Sequence, residues 1–91
     1  MKKKDWYQLI VENIKRGFEC QFYVYGVLYF IGWDDKENTI IWECDSDDDT
    51  TQTYNDWEEL LNEFKIDGKT LFELRDKIEP EWFSYSEASL K

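Results

Sequence analysis

Six oxygen-bearing residues, Asp45, Asp47, Asp49, Thr51, Thr53 and Asp56, stand at positions 1, 3, 5, 7, 9 and 12 of one twelve-residue window. That is the ligand spacing of a helix–loop–helix calcium site, where carboxylates and hydroxyls cage a hard cation. Two positions break the template. Thr50 stands where glycine makes the sharp turn, and Gln52 stands where an apolar residue anchors the loop. The sequence before the window is also strand-like rather than helical. Asp45, Asp47, Asp49 and Asp56 are therefore weak calcium candidates, and no specific metal site is expected.

The same carboxylates belong to a larger charge asymmetry. Residues 34–63 hold twelve Asp and Glu against one lysine, Lys36, a net of −11 in a chain whose total is −10. Residues 1–33 are net +2 and residues 64–91 net −1. Such a field repels nucleic acid and attracts basic surfaces. In an extended chain Asp45, Asp47 and Asp49 project from one side at about 6–7 Å spacing. That is sparser than the charge of duplex DNA and comparable with a single strand. Asp34, Asp35, Asp45, Asp47, Asp48, Asp49, Glu58 and Glu59 are the acidic candidates for contact with a basic protein, with nucleic-acid mimicry as one form of that contact. Solubilisation alone is the plainer role for the same charge.

Other chemistry is poorly supplied. Histidine is absent, which removes the usual neutral-pH base and the commonest metal ligand. There is no glycine-rich phosphate loop, and Ser46, Ser84, Ser86 and Ser89 have no residue suited to activate them. Paired carboxylates are plentiful, yet a chain of 91 residues builds little cleft around them. No enzyme activity, catalytic residue or cofactor is expected. Cys20 and Cys44 read as two small free-thiol hydrophobes. The longest stretch without a formal charge, Cys20–Trp33, is 14 residues, short of the roughly 20 that a membrane helix needs. Met1–Lys4 is followed at once by Asp5, unlike a secretory signal, so the expected compartment is cytoplasmic.

The elements that position these residues follow from periodicity. One domain over 1–91 is expected, with an ordered core of about 5–85. Asp5 caps an opening helix over about 5–16, with Trp6, Leu9, Ile10 and Ile14 on one face and Gly17 just past its end. Period-two sequence follows. Phe18–Val24 and Val27–Trp33 form a hairpin about Tyr25-Gly26, and Thr39–Cys44 forms a third strand after the polar loop Asp34–Asn38. With Trp33 opposite Ile40, the buried face collects Phe18, Cys20, Phe22, Val24, Val27, Tyr29, Ile31, Trp33, Ile40, Trp42 and Cys44. The other face then carries Tyr23, Leu28, Phe30 and Ile41 inside a rim of Glu19, Gln21 and Glu43. Asp45–Thr53 is a polar loop with room at its end for a short fourth strand. Asn55 or Asp56 caps a helix bearing Trp57, Leu60, Leu61 and Phe64. A further helix starts at Asp67 or Thr70 and carries Leu71, Leu74 and Ile78, with Pro80 just beyond its end. The expected fold is α+β: an N-terminal helix, a three-stranded antiparallel sheet and two C-terminal helices packed on one sheet face. The Trp82-Phe83-Ser84-Tyr85 tail is the one segment left to cover the second face. Uncovered, that face is an interface for a partner or for a homodimer.

The opening helix, the Tyr25-Gly26 hairpin, Asn55-Asp56-Trp57-Glu58-Glu59-Leu60-Leu61 and Ile66-Asp67-Gly68-Lys69-Thr70-Leu71-Phe72-Glu73-Leu74 together resemble a loose group of small acidic proteins from Gram-positive bacteria and their mobile elements. The likeness spans about residues 5–80. It departs at the hairpin turn, which in that group is more often Asn-Gly. The group implies no established activity, so no site residues carry over. The expected function is that of a non-catalytic, acidic protein-binding module, of inhibitor or immunity type, that meets a basic partner. The alternative is a structural domain whose Asp-rich loop solubilises it or binds calcium weakly.

Overall fold

The computed structural model describes residues 6–84. Helix α1 (Trp6–Lys15) leads into β1 (Cys20–Val24), β2 (Val27–Trp33), β3 (Thr39–Glu43) and β4 (Gln52–Tyr54). Helix α2 (Trp57–Glu63) follows, then a small hairpin of β5 (Lys65–Ile66) and β6 (Lys69–Thr70), a 3-10 turn (Arg75–Lys77) and β7 (Ile78–Phe83). The main sheet has five strands in the order β4-β3-β2-β1-β7, every neighbouring pair antiparallel.

The opening helix ends as its sequence dictates. Gly17 takes φ 82°, its N–H donates to Ile14 O (3.2 Å), and the Phe18 N–H donates to Asn13 O (2.8 Å), which is a Schellman closure. Leu9, Ile10 and Ile14 are buried on the inner face, as periodicity requires. Asp5, its expected cap, lies outside the described residues. The β1–β2 hairpin forms in the expected register, Val24 opposite Val27. Tyr25 and Gly26 have φ 52° and 77°, the left-handed pair of a type I′ turn.

The sheet has five strands where three, with a possible short fourth, were expected, and two further expectations fail. The second C-terminal helix does not exist. Thr70 and Glu73 do make a reciprocal cap: Thr70 N–H donates to the Glu73 carboxylate (2.9 Å) and Glu73 N–H to Thr70 Oγ1 (3.3 Å). The cap starts only turns and the short 3-10 segment. Pro80 holds Glu79 out of the α region, and Ile78 pairs with Val24 in the sheet. Leu71, Leu74 and Ile78 are all buried as a helical stripe would be, but turn and strand do the burying. The Trp82-Phe83 segment likewise belongs to edge strand β7 beside β1 rather than lying across a sheet face. Pro80, which cannot donate to a ladder, sits in that edge strand, where its missing N–H is tolerated.

The second failure is one of register. Trp33 lies opposite Thr39, not Ile40, and Ile31 opposite Ile41. A slip of one residue sends every side chain of a strand to the other face. Thr39 and Ile41 therefore face the core, and Ile40, Trp42 and Cys44 face outward. The loop sets this. The Asp34 carboxylate accepts from Lys36 N–H (2.9 Å), Asn38 N–H (2.9 Å) and Asn38 Nδ2 (3.2 Å), while Asp34 N–H donates to Asn38 O (3.0 Å). With Asp34 and Asn38 locked together, Thr39 is the next residue to meet Trp33. The cost is a Thr39 hydroxyl that is buried with no partner among the described residues. Phe18, expected in the core, precedes the strand and is 43% exposed, and Val27 at the hairpin tip is exposed too.

Among the described residues, the core occupies one side of the sheet. Phe22, Val24, Tyr29, Ile31 and Ile41 pack there against Ile10 and Ile14 of α1, Leu60 of α2, and Phe64, Leu71, Leu74 and Ile78. Tyr29 stacks on Phe22 with centroids 6.0 Å apart and meets Phe64 edge-on at 5.8 Å. Trp6 stacks on Phe83 at 6.2 Å, tying α1 to the edge strand.

Candidate functional site

The outer face of the sheet is built in rows that follow from the register. One row crosses four strands as Trp82, Gln21, Phe30, Trp42. The next, toward the β1–β2 turn, runs Glu79, Tyr23, Leu28, with Cys44 beyond, whose N–H donates to Leu28 O (2.8 Å). On the other side Gly32 stands opposite Ile40, and Ile40 opposite Thr53. Tyr23, Leu28, Phe30, Ile40 and Trp42 are half-buried by one another, and Trp82 is 46% exposed. Among the described residues, the buried apolar side chains of both helices and of Leu71, Leu74 and Ile78 lie on the opposite side.

Phe30 and Trp42 stack with centroids 4.4 Å apart and planes 29° from parallel. Gly32 makes room for this: a Cβ there would lie 2.5 Å from a Phe30 ring carbon and 3.2 Å from a Glu19 carboxylate oxygen. The Phe30 ring and the Glu19 carboxylate thus both reach over the bare backbone at Gly32. At the opposite edge a register shift between Gln21 and Phe22 inserts Glu81 into β7. The charge of Glu81 beside the Tyr23 hydroxyl, followed by burial and then Asp45, raises the Tyr23 pKa. No Lys or Arg occurs in any of the five strands of this sheet.

Three of the four expected sheet-face residues, Tyr23, Leu28 and Phe30, are on this face. Ile41 is not: it is fully buried on the core side, and Ile40 and Trp42 take its place. Trp82 joins through β7. The alternation of Glu79, Glu81 and Trp82 around Pro80, charged and proline-bearing as edge strands are, was the signal for it.

The acidic candidates are not brought to one surface. Asp34 and Asp35 lie in the β2–β3 loop, at the opposite end of the sheet from the 45–49 loop, and Glu58 and Glu59 lie on α2. Several carboxylates have local partners. Asp34 organises its loop, and those bonds lower its pKa. Asp49 accepts from Thr51 N–H (3.0 Å), which lowers its pKa also. Asp56 is the N-cap of α2, accepting from Glu59 N–H (2.8 Å), and Glu59 accepts in return from Asn55 N–H (2.6 Å). The 45–49 segment turns and bends, with Asp48 N–H donating to Ser46 Oγ (3.2 Å), so it lacks the extended spacing expected of it. Of the calcium candidates Asp45, Asp47, Asp49 and Asp56, two are engaged in these turns and caps. Among the described residues no group of three or more Cys, Asp or Glu is placed to hold a metal ion.

A cleft of about 220 Å³ opens at the end of the sheet between Tyr29, Glu43, Thr50, Phe64 and Lys65. It is smaller than the roughly 300–1,000 Å³ usual for small-molecule pockets. Burial, then Glu43, raises the pKa of Tyr29, which keeps it a neutral hydrogen-bonding group. Burial pushes the thiols of both free cysteines up, Cys20 on the core side and Cys44 on the outer side, so neither is a ready nucleophile. Among the described residues no helix is long and apolar enough to cross a membrane. No protein-family model, no curated protein and no solved structure matches the chain.

Proposed function

We propose that this chain is a non-catalytic binding module, of inhibitor or immunity type, that meets a basic protein through the outer face of its sheet. One observation carries the reading. The face has six large apolar side chains, Tyr23, Leu28, Phe30, Ile40, Trp42 and Trp82, and its strands contain no cation. A sheet face that meets only water alternates to polar residues. An apolar patch inside a polar rim is the composition of a protein interface. The carboxylates of the loops and of α2 then act at longer range, speeding encounter with a positive partner and disfavouring a negative one. The two free thiols suit a cytoplasmic setting.

The test is affinity capture from source-cell extract by the wild-type chain and by Phe30→Ser and Trp42→Ser variants, washed at increasing salt. The expected result is a basic partner held by the wild type, released as ionic strength rises, and lost by both variants while their circular dichroism stays native. Partners retained equally by the variants, or held equally at every salt concentration, would overturn the reading.

A further inference from the structure

We infer that the outer face seats an extended, arginine-bearing segment of its basic partner, with guanidinium groups stacked on the Phe30–Trp42 pair and held by the carboxylates of Glu19 and Glu81. The inference rests on the binding role proposed above and adds the chemistry of the occupant. Three features of the face point to it.

The first is the pairing of rings with carboxylates. The Phe30 ring and a Glu19 carboxylate oxygen meet over Gly32, and the Glu81 carboxylate acts on the Tyr23 hydroxyl of the same face. A planar cation that can stack on a ring face while donating in-plane bonds to a carboxylate satisfies both groups at once. Guanidinium does this, and the compact, strongly hydrated ammonium of lysine does it less well. The second is spacing. Successive rows of the face are two residues apart along a strand, about 6.6–6.8 Å, which is also the repeat at which an extended peptide presents alternate side chains. Arginines at alternate positions of such a peptide fall on successive rows. The third is charge. A second copy of this chain seated face to face would press one acidic margin, Glu19, Glu79 and Glu81, toward another in a protein of net charge −10. Symmetric pairing repeats each contact, repulsive ones included. A cationic occupant removes that conflict.

The experiment is an NMR titration of the full ¹⁵N-labelled chain at low salt with three capped octapeptides, Arg-Ser, Lys-Ser and citrulline-Ser repeats. The expected result is shift changes clustered at Tyr23, Phe30, Gly32 and the Trp42 and Trp82 indoles. Arginine should bind about 3–10-fold tighter than lysine, and citrulline should bind barely at all. Glu19→Gln and Glu81→Gln should each weaken the arginine peptide by about 3–10-fold. Shifts confined to the 45–49 loop with equal affinity for arginine and lysine would overturn the inference, as would the absence of binding. So would binding at the face that appears only on deleting residues 85–91, the mark of the chain's own end as occupant. If these peptides fail while Phe30→Ser still abolishes capture of the partner, the binding role stands and the arginine chemistry falls. If capture survives Phe30→Ser, the binding role itself falls.

Discussion

Ile40 and Ile41 are the same residue at adjacent positions on opposite faces of one strand, which makes them a direct test of the β2–β3 register. Ile41 is fully buried in the core, and Ile40 is half-buried on the outer face beside Phe30 and Trp42. Truncating a fully buried isoleucine to alanine removes its transfer free energy and leaves a cavity, together about 2–5 kcal/mol. A chain of this size has roughly 5–15 kcal/mol of stability in all. At about 4–8 °C per kcal/mol for a small domain, a loss of about 3 kcal/mol lowers Tm by about 12–24 °C. On the outer face no closed cavity forms, so Ile40→Ala should cost only about 1 kcal/mol. Thr39→Val tests the same register with opposite sign. The Thr39 hydroxyl is buried without a partner among the described residues, and removing such a group restores about 1–3 kcal/mol. Urea unfolding followed by circular dichroism reads all three, with an unchanged m-value showing that the unfolded state is unaffected. If Ile40→Ala costs more than Ile41→Ala and Thr39→Val is neutral, the strand sits one residue over. Trp42 would then face inward, and the outer platform would not exist.

Two further outcomes follow from the loops. Tyr25 holds φ 52° in a type I′ turn and is 54% exposed, so Tyr25→Asn should raise stability by about 1 kcal/mol, read as a higher urea midpoint. Hydrogen bonds to Asn38 and Lys36 lower the folded pKa of Asp34 below its ordinary 3.8. Its contribution to stability is therefore complete above the unfolded value and is lost as pH falls through the folded one. The stability gap between wild type and Asp34→Ala should stay constant from pH 7 to about 5 and close below about pH 4, as followed by urea midpoints across pH. A gap that persists at low pH would mean that the carboxylate's charge is not what holds the loop.

Much of the framework was legible in the sequence because it rests on local rules. Gly17 closes α1, Tyr25-Gly26 turns the first hairpin, and Asp56, one of the two expected cap residues, caps α2; each depends on residues within a few positions of one another. The failures share a different cause. Leu71, Leu74 and Ile78 have helical spacing, and helical spacing marks which residues are buried without stating what backbone buries them. Ile78 is claimed by Val24, more than fifty positions earlier, and no local rule sees that partner. The β2–β3 register was misread because apolarity favours Ile40, Trp42 and Cys44 for the core, whereas the bonded Asp34–Asn38 loop delivers Thr39 and Ile41 there instead. The acidic run was plain from composition, but its division between two ends of a sheet and a helix was not.

The register error and the candidate site are one matter. With Ile40 and Trp42 turned inward, the outer face would hold Tyr23, Leu28, Phe30 and Ile41 and no pair of stacked rings. With them turned outward, Trp42 comes opposite Phe30, and a pair of stacked rings forms on a surface that the core does not need. Gly32 sharpens the point. Glycine weakens a strand interior by removing a side chain that could pack. Here its absent Cβ is the space into which Phe30 and Glu19 lean. The core on the other side of the sheet draws on both helices, the turns after β6 and the inner residues of the strands, with none of these outer aromatics. Folding accounts for the inner face; the rings, the carboxylates beside them and the lack of any cation on the strands are what the proposed positively charged partner would meet.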